Sequence, residues 1–227
     1  MKYKIFSVLA LLCSMGAQSH EFTGENLMLS YLKLKGDFNF ESNVQRYMII
    51  HNRDDWFKYK NDEFLIEDKK IENISRMKSL VDSFDLNEEF TINTDFNISK
   101  YNFNKESFPL SGIKDTTYYG VNYITWGRLN DEQYRVFFEN HQVILNEIKM
   151  PKSKARKFLA DRKSKNGSIN RSFPAEISFK ITNIKKTIDG SKSLYAAITK
   201  ANIYEDEAMV SLISSYDSEK FISEVLQ

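Results

Sequence analysis

The sequence predicts an α+β fold: a helical N-terminal half packed on a mostly antiparallel β-sheet, with one basic helix interrupting the strands. Three observations carry this. Apolar residues recur at helical spacing up to about residue 88 and alternate with polar ones from about residue 90, and no linker or low-complexity stretch divides the two regimes. Residues 20–227 therefore read as a single domain, helical over about 20–88 and β-rich over about 90–227. A chain of 227 residues with 41% hydrophobic and 14% aromatic residues has material for a sizeable core.

Glu25 to Lys35 places Leu27, Tyr31 and Leu34 on one helical face, and Gly36 is a natural stop. Ser42 is positioned to cap a second helix carrying Val44, Tyr47 and Met48. Asp62 to Phe84 forms a longer helix with Phe64, Ile71, Ile74, Met77, Val81 and Phe84 as its apolar stripe, and Asp62 and Glu63 suit the positive end of its dipole.

Thr91 to Phe103 alternates Ile92, Thr94, Phe96 and Ile98 with polar positions, as a half-buried strand does. Tyr118 to Trp126 is aromatic and β-branched. Tyr134 to Phe138 and Val143 to Ile148 read as two strands joined near Asn140-His141. A helix follows over Pro151 to Lys163, with Pro151 at its first position and Gly167 just beyond it. Ala175 to Thr182 alternates strictly, and Asp189-Gly190 turns it into Leu194 to Tyr204 as a hairpin. Met209 to Leu226 is mixed in pattern and receives no assignment.

The N-terminus carries a different message. Lys2 and Lys4 precede the apolar run Ile5 to Leu12, and Ser14, Gly16, Ala17 and Ser19 supply small residues. That is the layout of a Sec-type signal peptide over residues 1–19, cleaved after Ser19, and it implies a periplasmic or secreted protein. The apolar run is too short to span a bilayer, so no transmembrane segment is expected after its removal. Cys13 is the only cysteine, which leaves the mature chain without disulfides, thiol nucleophiles or cysteine-bound zinc.

Composition narrows the chemistry further. Eight glycines and three prolines fall well below the usual ~7% and ~5%. The sequence contains no G-x-G-x-x-G, P-loop, G-x-S-x-G or H-E-x-x-H pattern. The histidines are His20, His51 and His141. An N-terminal His20 can chelate copper, but in copper monooxygenases a second histidine completes the site on a β-sandwich, so the expectation is no metal and no cofactor. The carboxylate pairs Asp54-Asp55, Asp62-Glu63 and Asp131-Glu132 read as caps and turns. They support an alternative function, a small envelope-polymer hydrolase, only if the fold brings carboxylates together from different segments.

Formal charge is near balance, with 32 Lys+Arg against 31 Asp+Glu. The exception is Lys149 to Arg171, which holds nine basic side chains against Asp161 alone. Ala155, Phe158 and Leu159 would face the core, leaving Lys152, Arg156, Lys157 and Lys163 to meet an anionic partner. Arg162 falls on the inward face, where it would snorkel or pair with a carboxylate. No stacking aromatics interleave the basic residues, so no nucleic acid is expected.

Tyr101-Asn102-Phe103, Phe108-Pro109-Leu110, Ala155-Arg156-Lys157-Phe158-Leu159, Arg162-Lys163, Gly167 and Arg171 together resemble an uncharacterised family of exported bacterial proteins, a domain of unknown function. Tyr47 to Phe64, with Asn61-Asp62-Glu63-Phe64, fits the same pattern. The resemblance implies bacterial export and transfers no activity or site residues. The resulting expectation is a non-catalytic binding or cell-envelope-associated module whose basic face takes an anionic envelope component or an acidic protein.

Overall fold

The computed structural model describes residues 19–124, 126, 131–186 and 191–219. Apart from Ser19, the expected signal peptide lies outside these residues, as do the Asp189-Gly190 turn and the end of the C-terminal stretch. The expected α+β architecture is present.

Local signals set the helices. Thr23 accepts the Asn26 N–H and opens α1 (Gly24–Lys35). Gly36 closes it at φ 69°, a left-handed conformation that glycine adopts freely. Asn39, rather than Ser42, caps α2 (Phe40–His51), accepting the Ser42 N–H at 2.8 Å. A seven-residue helix, α3 (Arg53–Tyr59), follows. Asp62 then caps α4 (Glu63–Ser83) by accepting the N–H groups of Phe64 and Leu65.

The apolar stripe of α4 differs from the sequence expectation. Phe64 is 83% exposed and Ile71 60%. Met77, Val81 and Phe84 are buried as that stripe requires, while Ile66 and Asn73 face inward in place of Phe64 and Ile71. Asn73 is tolerated there because its amide is satisfied: it donates to the Lys69 carbonyl and accepts from Asn52 at the α2–α3 junction.

The strands are β1 (Ser19–Glu21), β2 (Glu89–Ile98), β3 (Ser107–Ser111), β4 (Tyr118–Ile124), β5 (Asp131–Phe138), β6 (Glu147–Lys149), β7 (Ser172–Lys186), β8 (Lys192–Tyr204) and β9 (Leu212–Asp217), with α5 (Lys152–Asp161) between β6 and β7. They form one sheet in the order β4-β5-β8-β7-β2-β3-β6. β1 shares an edge of β2 with β3, and β9 shares an edge of β8 with β5. Pairing is antiparallel except for β1 with β2 and β5 with β8.

Two connections depart from the sequence expectation. A short strand, β1, precedes the first helix. Val143 to Ile148 is not the partner of β5: a 3-10 turn at His141–Val143 leads into β6, which pairs with β3. Asn140 explains the change. Its side chain donates to the Ile198 carbonyl and accepts the Ile198 N–H, completing the edge of β8 where β5 ends and releasing the chain from the sheet.

One face of the sheet is apolar and covered. Phe90, Ile92 and Phe96 of β2, Phe173, Ala175, Ile177 and Phe179 of β7, and Leu194, Ala196 and Ile198 of β8 are all buried. α1 lies against β4, β5, β7 and β8, while α4 packs on α1 and on α2 and α3, which pack on each other. The opposite face carries a cross-strand ladder in which Phe137 stacks on Tyr195 at 5.5 Å and meets Tyr118 at 5.6 Å. Lys185 over Tyr195 and Arg135 over Tyr118 end it with cations.

Helix and sheet approach most closely at Gly24. A methyl group there would stand 2.4 Å from Tyr123 Cβ on β4. Gly24→Ala must push α1 off the sheet and is expected to cost about 1–3 kcal/mol, read from the urea unfolding midpoint. A change within about 0.3 kcal/mol would show that the helix docks otherwise.

Candidate functional site

The basic helix is held from below by aromatic packing. Pro151 sits just outside α5 as its cap rather than in its first turn, and its carbonyl accepts the Ala155 N–H at 2.9 Å. Ala155 and Phe158 are buried. Phe158 stacks on Phe173 of β7 at 5.3 Å and leans on Phe108 of β3 at 5.8 Å. Tyr101 packs against Phe108 and donates its hydroxyl to the Met150 carbonyl at 2.7 Å, fixing the entry to the helix.

Arg162 lies where the helix ends. Its guanidinium stands 4.8 Å from the ring centres of both Phe158 and Phe173. It donates to the carbonyls of Ser172 at 2.6 Å, Asn170 at 3.4 Å and Glu205. The expected carboxylate partner is replaced by these carbonyls. Burial pushes its pKa down, against the nearby acids Glu205, Glu207 and Asp206, and it stays charged because guanidinium does not lose its proton in proteins.

The nine cations of the segment thus divide. Arg162 is structural. Arg171 donates to the Ser99 carbonyl at 2.9 Å, and Lys149 pairs with Glu147 at 2.8 Å. Hydrogen bonds from Lys149 and then Ser107 hold the Glu147 carboxyl below the usual carboxylate range. Lys152, Lys154, Arg156 and Lys157 project from α5 into solvent, and no carboxylate among the described residues lies within ion-pair distance of them. Lys163 and Lys165 are also exposed and unpaired among the described residues, but Lys163 lies beyond the helix, bridged to Ile169 in a turn that Gly167 closes at φ 89°.

Sequence reasoning missed a second concavity. A cleft of about 190 Å³ opens between α1, the α1–α2 connection and the starts of β5 and β8. Tyr31, Phe38, Trp126 and Tyr134 supply aromatic walls, and Glu132 and Lys192 supply charge. Trp126 is 1% exposed, packs edge-on against Tyr47 at 5.2 Å, and leaves its Nε1–H without an acceptor among the described residues. Lys192 Nζ lies 3.9 Å from Glu132 Oε1 and 5.2 Å from the Tyr31 ring centre. Burial, and then the Glu132 charge, push the Tyr134 phenol far above its ordinary pKa, so it stays protonated. The sequence signal for this site was the aromatic run ending at Trp126 and the carboxylate Glu132, read there as strand and turn.

His20 is engaged at both ring nitrogens. Nε2 lies 2.8 Å from the Asp85 carbonyl, Nδ1 lies 3.4 Å from Glu88, and the ring stacks on Phe84 at 4.2 Å. Among the described residues, no three His, Cys, Asp or Glu side chains are grouped to hold a metal ion. A shallow polar groove on the open face of the sheet is lined by Asp85, Glu88, Glu89 and Glu176 together with Lys180 and Lys200. The N–H of Asn87 holds the Asp85 carboxyl below its usual range.

A family model described as Domain of unknown function (DUF4852) matches residues 39–161. The chain belongs to this family. The match to DUF4852 covers Tyr47 to Phe64, Tyr101 to Leu110 and Ala155 to Leu159, and stops before Arg162, Lys163, Gly167 and Arg171. In structural terms it runs from the start of α2 to the end of α5 and includes Trp126, Glu132 and Tyr134. No curated protein and no solved structure matches the chain.

Replacing Arg162 by lysine keeps the charge but removes the planar fork that reaches separate carbonyls. Arg162→Lys should lower stability by about 1–3 kcal/mol, whereas Lys152→Ala should stay within about 0.5 kcal/mol. Urea unfolding of both variants checks the difference, and equal midpoints would show that Arg162 is only another surface cation.

Proposed function

We propose that the chain is an exported, non-catalytic binding module whose α5 face takes an anionic component of the cell envelope. The observation that carries this reading is the set of exposed cations at Lys152, Lys154, Arg156, Lys157 and Lys163, none with a carboxylate partner among the described residues. Their backbone is rigidly presented, because Ala155, Phe158 and Arg162 anchor the helix end to β7. Each basic residue near an anionic lipid surface contributes about 1 kcal/mol. Together they therefore support an association that weakens steeply with salt. Export rests on the signal-peptide layout of residues 1–19, and cleavage after Ser19 leaves His20 and Glu21 in register with Phe90 and Thr91 of β2.

The competing reading, a hydrolase of an envelope polymer, draws on the groove lined by Asp85, Glu88, Glu89 and Glu176. Such chemistry needs one carboxyl kept protonated near neutral pH. Asp85 is displaced in the opposite direction and would serve only as the ionised member of such a pair.

Two measurements test the proposal. Replacing Lys152, Arg156, Lys157 and Lys163 together by alanine should weaken sedimentation with phosphatidylglycerol vesicles on the order of a thousandfold, with the unfolding midpoint unchanged. Undiminished sedimentation would overturn the role of this face, and retention on an acidic protein but not on vesicles would move the partner to a different class. Mass spectrometry of the protein recovered from outside the cytoplasm should find His20 as its first residue. An intact Met1 in a cytoplasmic fraction would remove the envelope from the proposal.

A further inference from the structure

The aromatic cleft has a surplus of hydrogen-bond donors. Trp126 is one of its walls, and among the described residues the Nε1–H of that side chain has no acceptor although it is shut away from water. An N–H buried in this way is a standing cost that folding ordinarily avoids. Lys192 presents an ammonium group with three donors, yet its contacts are Glu132 Oε1 at 3.9 Å and the Tyr31 ring at 5.2 Å, neither of them a hydrogen bond. Lys35, at the rim, adds a second ammonium that reaches Asp37 at 2.9 Å.

The walls define the rest of the ligand. Tyr31, Phe38, Trp126 and Tyr134 enclose the space with ring faces and edges, and Met28 and Leu32 of α1 contribute aliphatic surface. A volume of about 190 Å³ suits one six-membered ring with a small substituent, since a cavity of about 150 Å³ holds benzene. The surrounding rings also keep the ammonium of Lys192 partly from water, which strengthens its attraction for an anion. A cationic ligand would have to displace Lys192 from Tyr31 and Glu132, whereas an anionic one completes what Lys192 lacks.

We infer that the cleft between α1, Trp126 and the starts of β5 and β8 is a binding site for a small planar monocarboxylate. The ring lies among Tyr31, Phe38, Trp126 and Tyr134, and the carboxylate accepts from Lys192. Trp126 and Tyr134 lie in the DUF4852 span, whereas Tyr31 and Phe38 precede it and Lys192 is supplied from beyond it by β8. The inference does not depend on the α5 face, so either proposal stands if the other fails.

Benzoate is the probe. Trp56 and Trp126 are the two tryptophans of the chain, so the indole N–H region of a nitrogen-correlated NMR spectrum holds two signals, assigned with Trp56→Phe. Titration with benzoate should shift the Trp126 signal saturably, with a dissociation constant of about 1 mM or tighter. Benzylamine, of the same shape and opposite charge, should bind at least about tenfold more weakly. Lys192→Met, which keeps the stem of the side chain, should lose at least about tenfold in benzoate affinity with an unchanged unfolding midpoint. If that variant misfolds, the benzoate-to-benzylamine comparison on the unaltered chain decides alone. Equal binding of the two probes, or a Trp126 signal unmoved at about ten times the expected constant, overturns the inference.

Discussion

The stacking of Phe179 in β7 is the contact on which the rest of the fold depends. Its ring lies parallel to Phe90 of β2 at 5.6 Å, meets Phe138 of β5 edge-on at 5.0 Å, and is touched by Phe22, just ahead of α1, at 6.1 Å. It is fully buried. Aromatic pairs of this kind contribute about 0.5–1.5 kcal/mol each beyond simple burial, and this ring takes part in three. The same strand reaches both candidate sites. Near its start, Phe173 seats Phe158 and Arg162 beneath the basic helix. At its other end, Lys186 pairs with Lys192 of β8, which delivers its ammonium to the aromatic cleft. Roughly 40 Å of strand separates an outward cationic surface from an enclosed one.

Much of this was legible in the residues, for identifiable reasons. Thr23, Gly36 and Asp62 act within one turn of themselves, so α1 and α4 could be bounded from local chemistry. β2 and β7 alternate because one face of the sheet is covered and the other is wet. Ala155 and Phe158 point inward as the helical period requires. Other features depend on distant partners. α4 has apolar residues on more than one side, and the choice of Ile66 and Asn73 over Phe64 and Ile71 is made by its packing on α1 and α2, with Asn52 satisfying Asn73. β6 pairs with β3 because Asn140 ends the edge it would otherwise extend. The cleft draws on residues from Met28 to Lys192, each of which alone resembles an ordinary core or surface position.

Charge shows the same contrast between pattern and place. The net charge of +1 conceals a segment of nine cations, and the structure then assigns them unequal work. Arg162 and Arg171 donate to carbonyls, Lys149 is matched by Glu147, and the remaining six face water. The mixed use of one basic run explains why its inner cations serve architecture and its outer ones are free to serve recognition. Membership of DUF4852 encloses α5 but leaves β7, the strand on which Phe158 and Arg162 rest, outside the matched span.

The topology also has a consequence for when the chain can fold. β2 pairs with β7 nearly ninety positions later, at Phe90 with Phe179, and β5 pairs in parallel with β8 across more than fifty, at Val136 with Leu194. Closing loops of that length must precede any gain from the contacts they enable. When synthesis has reached Asp161, all of α1 to α5 has been made, yet the two strands that cover α1 and join the sheet have not. The helical half therefore waits, its apolar faces uncovered, until the last quarter of the chain arrives. The sheet is consequently completed only late in synthesis, once β7 and β8 have been made.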